Sequence, residues 1–161
     1  MQCIISVISS NTYSYFSLLF IDIELNDVKE DHWMWWGFPQ ERGSWGKKSV
    51  SEQTKIYSIE IHEAEEFLNN EKLSCFLAKG LRLLKEKAEG KSNSRMPPAK
   101  IICKYFSAID DVKFRSHVNL FYYVATSVYD SIDKRIIKLI KRLILINIYY
   151  SLYYLIITIF K

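Results

Sequence analysis

Cysteine is scarce in this chain and its copies lie far apart. Cys3, Cys75 and Cys103 form no close pair, so neither a disulfide framework nor a zinc spacing can be built from them. The simplest reading is three small buried residues in a reducing compartment. A strong excess of one charge is missing too. Lys and Arg total 22 against 18 Asp and Glu, and most bases alternate with acids, as in Glu41-Arg42 and Lys85-Glu86-Lys87. Nucleic-acid binders carry a larger, more clustered excess, so nucleic acid is disfavoured as a partner. The first 23 residues have neither the basic start nor the clean apolar run of a secretory signal. The expected location is intracellular, either cytoplasmic or on the cytoplasmic face of a membrane. No nucleophile–base pair, metal signature, phosphate loop or dinucleotide fingerprint occurs, so the sequence calls for no metal and no cofactor.

What the chain does have is a core. It has 161 residues, 49% of them hydrophobic and 15% aromatic, enough for one domain that buries its aromatics in core and pockets. The reading is an all-α, mainly helical single domain. Residues 1–13 form an N-terminal segment of unassigned order, 14–130 the helical domain, and 131–161 a long hydrophobic C-terminal helix. Within the domain, 14–25 is dense in apolar residues and is a candidate first helix, although periodicity alone does not separate helix from strand there. Gly37 and Pro39 stop any helix there, and 41–54 reads as a loop. From His62 to Asn69, Ala64, Phe67 and Leu68 form a narrow apolar face, with Glu63, Glu65 and Glu66 near the positive end of the helix dipole. Leu73 to Glu89 is the clearest helix, closed by Gly90. A linker follows to Pro98, then a short helix over 99–106, then a helix start at Asp110-Asp111 running to Ala125.

Two stretches carry the chemistry. In the first, His32 can act as acid or base near neutrality. Trp33 and Trp35 offer flat faces for stacking, and Gln40 offers both a donor and an acceptor. In the second, Asp111, Lys113 and Arg115 fall at i, i+2 and i+4, followed by Ser116. Arg115 and Ser116 suit a phosphate or carboxylate. Together these residues suggest a pocket for a nucleotide-like or other anionic ligand, with Trp33 or Trp35 as wall, His32 as the catalytic candidate and Arg115 as clamp. Each has a structural alternative. Trp33, Met34 and Trp36 also read as core, Arg115 as the partner of Asp111 or Asp110, and His32 as a satisfied structural donor. His62 and His117 read as surface or cap residues.

The run His32-Trp33-Met34-Trp35-Trp36-Gly37-Phe38-Pro39-Gln40 and the run Asp110-Asp111-Val112-Lys113-Phe114-Arg115-Ser116-His117-Val118-Asn119-Leu120-Phe121 resemble the two signature blocks of the bacterial family known as domain of unknown function 1810. Tyr57-Ser58-Ile59 and Glu63 to Leu68 resemble a weaker block between them. The resemblance spans about residues 14 to 126 and implies a largely helical fold; it brings no established activity. This chain departs from the pattern at Asp31, His117 and Asn119, where the family has Ser, Ser and Thr. The connections around 40–57 and Pro97-Pro98 are longer than usual.

Leu143 to Phe160 contains no charged residue. At about 1.5 Å per residue it would reach about 27 Å as a helix, just enough for a thin hydrocarbon layer. The bases Lys134, Arg135, Lys138, Lys141 and Arg142 precede it, as they would on a cytoplasmic face. Residues 143–160 therefore read as a membrane partner segment, as a helix packed on the domain, or as a low-complexity tail. Two functional readings follow. One is a small-molecule site with or without catalysis; the other is a non-catalytic interaction module tethered by its C-terminal helix.

Overall fold

The computed structural model describes residues 12–44, 49–90, 98–127 and 141. The 131–161 helix expected from sequence lies outside them, Lys141 excepted, as do Cys3 and residues 1–11. Seven helices make up the described chain: α1 (Thr12–Leu25), α2 (Met34–Gly37), α3 (Glu52–Tyr57), α4 (Ile61–Asn69), α5 (Glu71–Gly90), α6 (Pro98–Tyr105) and α7 (Ala108–Ser127). Among the described residues there is no strand; the one bridge pairs Glu41 with Ile59. None of the described helices is long and apolar enough to cross a membrane.

Local chemistry sets most of the boundaries. The expected loop over 41–54 contains the start of α3, because Ser51 accepts a hydrogen bond from the Thr54 N–H at 3.2 Å and so caps a turn. Glu60 and Glu63 form a capping box at the head of α4. Helix α7 begins earlier than the Asp110-Asp111 start read from sequence. Its first turn is held by Ser107, whose hydroxyl accepts from the Asp110 N–H at 3.2 Å, and both aspartates sit inside that turn.

Helix α5 is the spine. It buries Leu73, Leu77, Gly80, Leu81, Leu84 and Ala88 along one stripe and packs against α1, α4 and α6, while α7 packs on α2, α4 and α6. From α1 come Phe16, Leu19, Phe20 and Ile23; from α7 come Phe114, Val118, Phe121 and Val124. The ring of Phe16 stacks on Phe76 at 4.4 Å and meets Trp36 edge-on at 5.4 Å. Such pairs add about 0.5–1.5 kcal/mol beyond their burial.

Two glycines let the 33–38 segment sink into this core. A Cβ on Gly80 would lie 3.2 Å from the Phe38 ring, and one on Gly37 only 2.3 Å from Leu19 Cδ1. Leu19 is 1% exposed and has little room to turn aside. Gly37→Ala is therefore expected to cost about 1–3 kcal/mol through overpacking. Urea unfolding checks this, and unchanged stability would mean that Leu19 repacks freely.

Candidate functional site

A buried carboxylate fixes the entry to the site. Asp22, at 2% exposure, accepts hydrogen bonds from Trp33 Nε1 at 2.6 Å, Tyr105 Oη at 2.9 Å and the Asp31 N–H at 3.0 Å. Burial pushes this carboxyl up, but the bonds from Asp31, Trp33, Tyr105 and Asn26 together outweigh it and hold it below the usual carboxylate range. Asp22 thus ties the end of α1, the segment leading into α2 and the end of α6 into one knot. Lys29 joins the knot by its ion pair with Asp110 at 2.8 Å and by lying 5.0 Å over the Trp33 ring.

Downstream of that anchor the chain turns through Met34–Gly37 and then pairs with the α3–α4 connection. The Ile59 N–H donates to the Gln40 carbonyl at 3.0 Å, and the Arg42 N–H donates to the Ile59 carbonyl at 2.8 Å. Arg42 locks this arrangement through Glu60 at 2.7 Å and Glu63 at 3.0 Å. Helix α7 closes the other side. The Nδ1–H of His117 donates to the Pro39 carbonyl at 2.9 Å, Phe38 meets Phe114 edge-on at 5.2 Å, and Ser116 Oγ accepts from the Glu41 N–H at 3.3 Å. The two sequence blocks, about 75 residues apart, therefore meet in space.

Their junction leaves a shallow surface recess, too tight to enclose a free water molecule and lined by Met34, Trp35, Phe38, Gln40, Thr54, Tyr57 and Lys113. Trp35 forms a wall. Its Nε1 donates to Thr54 Oγ1 at 3.1 Å, Lys113 Nζ lies 4.8 Å over its ring, and the exposed His32 stacks with it at 5.8 Å and 24°. Lys113 is also 3.4 Å from Asp110, the carboxylate that Lys29 holds from the other side. Gln40 is 8% exposed, and no described side-chain hydrogen bond engages its amide. That amide is not sealed from water: among the described residues, the buried side-chain polar atom without a partner is His117 Nε2.

Of the residues singled out by sequence, His32, Trp35, Gln40 and Lys113 gather here. The others are engaged elsewhere. Trp33 is 1% exposed and spends its donor on Asp22, so it serves the core and cannot act as a stacking wall. Arg115 turns along α7 to Asp111 at 2.9 Å and Cys103 at 3.5 Å. Burial pushes the Arg115 guanidinium down, but Asp111 more than compensates and keeps it charged. The expected anion clamp is thus closed by its own helix. Ser116 serves the Glu41 and Ser44 turn.

The histidine and cysteine expectations also need correction. His117 is not a surface or cap residue but fully buried, because it falls in phase with Phe114, Val118 and Phe121 on the inner face of α7. Cys75 is exposed and Cys103 half-buried. Burial and then Asp111 raise the Cys103 thiol to about 11, which makes it a poor nucleophile. Sequence reasoning missed Asp22, Thr54 and Tyr57. The capping pattern Ser51-Glu52-Gln53-Thr54 was the available signal for the α3 residues; nothing local marked Asp22.

The fold resembles that in the crystal structure of the conserved hypothetical protein Rv1873 from Mycobacterium tuberculosis, with a TM-score of 0.63 over 88% of each chain and 20% sequence identity. At that identity the likeness speaks for the fold alone. No curated protein matches this chain significantly. The family described as "Protein of unknown function (DUF1810)" matches residues 14–139, past the boundary drawn at 130 from sequence and across both blocks that build the recess. The chain belongs to that family.

Proposed function

We propose that this domain binds a small anionic molecule in the recess between Trp35, Gln40 and Lys113. The observation that carries the reading is that Gln40, with no described side-chain hydrogen bond, and Lys113 line one recess beside Trp35. An amide and an ammonium on one small recess supply donors for an anion, and Trp35 supplies an apolar plane beside them. Lys113 is held in place by Asp110 and the Trp35 ring, so little side-chain freedom is lost when it binds. His32, stacked on Trp35 at the rim, is the imidazole of the site and its candidate for proton transfer. The reading is of a binding site, with catalysis through His32 as its extension.

The test is thermal unfolding with a panel of small anions. A ligand at about 100 times its dissociation constant adds about 2.7 kcal/mol to stability. The shift should vanish in Lys113→Gln, return partly in Lys113→Arg, and survive in Arg115→Gln. Loss of the shift in Arg115→Gln alone would move the site to the far side of α7 and contradict the proposal.

A further inference from the structure

We infer that the outer face of α1 is a docking surface for the chain's own uncharged segment, residues 143–160. Helix α1 is apolar on two sides. Phe16, Leu19, Phe20 and Ile23 enter the core. Leu18, Ile21 and Leu25, at i, i+3 and i+7, point the other way and are 50%, 50% and 76% exposed, and Val28 continues them at 49%. A surface helix ordinarily turns polar residues outward, and one that is apolar on both sides calls for a cover on both.

Charge selects the cover. Beyond the apolar face, the end of α1 and the turn after it expose Glu24, Asp27, Glu30 and Asp31. The bases that reach this end are Lys29, drawn to Asp110 at 2.8 Å, and Lys87, which donates to the Asn26 carbonyl at 2.7 Å. The Asp22 carboxylate within the knot adds to the acidic excess. Residues 134–142 have the opposite character, with Lys134, Arg135, Lys138, Lys141 and Arg142 and no acid among them. They immediately precede the uncharged run. Bases laid on the acidic end of α1, which is also the negative end of its dipole, direct 143–160 back along Leu25, Ile21 and Leu18.

Reach is sufficient. Between Ser127, the end of α7, and Leu143 lie 15 residues, about 50 Å when extended and more than the width of a domain of this size. The rival covers fit less well. An anionic lipid surface is repelled by the same carboxylates. A second copy offers the same segment, but the tethered one is present at an effective concentration of about millimolar.

The experiment is photo-crosslinking of the full chain with p-benzoylphenylalanine in place of Ile21, in an equal mixture of ¹⁴N and ¹⁵N chains, with and without vesicles of phosphatidylcholine and phosphatidylserine. Mass spectrometry of the digest locates the links. The expected result is attachment to peptides of 143–160 from the same isotopic chain, with or without vesicles. The same probe in place of Ile109, 70% exposed on α7, should not reach them. Lys138→Glu and Lys141→Glu should each lower the yield at Ile21 about threefold at low salt. Links of mixed isotope would assign the face to a second copy, and links to lipid would assign it to a membrane. Either result, or no link to 143–160, or yields that ignore the charge reversals, would overturn the proposal.

Discussion

Replacing Asp22 by alanine is expected to lower the unfolding free energy by about 3–5 kcal/mol, because it strands buried partners that have no other acceptor. Trp33 Nε1 and Tyr105 Oη each donate to this carboxylate, and both residues are at most 1% exposed. Losing one buried hydrogen-bond partner costs about 1–3 kcal/mol per stranded group. A domain whose whole stability is about 5–15 kcal/mol cannot absorb this easily. Asp22→Asn keeps the shape and one acceptor, and should fall between wild type and alanine. Urea titrations of the three proteins measure the order. An alanine variant within about 1 kcal/mol of wild type would show that water reaches Trp33 and Tyr105, and would refute the buried knot.

Acid sensitivity is the second large effect, and it belongs to His117. Burial holds this imidazole down to about 3, and the Pro39 carbonyl only partly opposes it. Its Nε2 is buried without a partner among Phe38, Phe114 and Phe121, so a proton there would find nothing to hold it. In the unfolded chain the same ring takes up a proton below about pH 6.5. Between those two values the unfolded state binds more protons than the folded one. Stability contributed by the neutral ring is therefore full above about pH 6.5 and is lost as pH falls, by up to about 1.4 kcal/mol per pH unit. The lowered carboxyl of Asp22 acts in the same direction, but mainly below about pH 4, near the value at which the unfolded aspartate is half protonated. From pH 6.5 to 4.5 the expected loss is thus about 2–3 kcal/mol and is due to His117. Stability measured across that range should slope steeply in wild type and much less in His117→Leu. Equal slopes would place the titrating group elsewhere.

His117 also shows where sequence and structure part. Its partners, Phe114 and Phe121, are three residues before and four after it, so the inner face of α7 was readable by period alone. A polar ring on that face was not, because an imidazole can be buried when one nitrogen finds a carbonyl, and that carbonyl, Pro39, comes from a distant segment. The same holds for Asp22. It sits in α1 among apolar residues with no local mark of its role, and its value comes from donors 11 and 83 residues away. Helices α4 and α5 were legible because each carries an apolar stripe; α1 offered only apolar density, and α7 was legible from its Asp110-Asp111 start. Helix α3 was hidden by its polar composition and revealed only by the Ser51 cap.

The site divides along the same line. Aromatic and charged residues in the two blocks pointed to a junction, and the helices bring the blocks together. Which side chain faces the junction depended on rotations that no spacing fixes. Trp33 turned inward to Asp22 and Trp35 outward to Thr54. Arg115 found Asp111 one turn back along α7, the structural alternative open from the sequence, and Lys113 took the place over Trp35.

The central claim, that the Gln40 amide exists for a ligand and not for the fold, is tested most directly by the stability and the ligand response of Gln40→Leu. The Gln40 amide reaches solvent and has no described hydrogen-bond partner, so leucine at this place gives up no hydrogen bond within the described fold and meets the apolar side chains of Met34 and Phe38 in the recess lining. The variant without ligand is predicted to be at least as stable as wild type, and to show no stabilisation by any small anion that stabilises wild type. A variant that loses more than about 1 kcal/mol of stability yet keeps the full anion response would contradict the account.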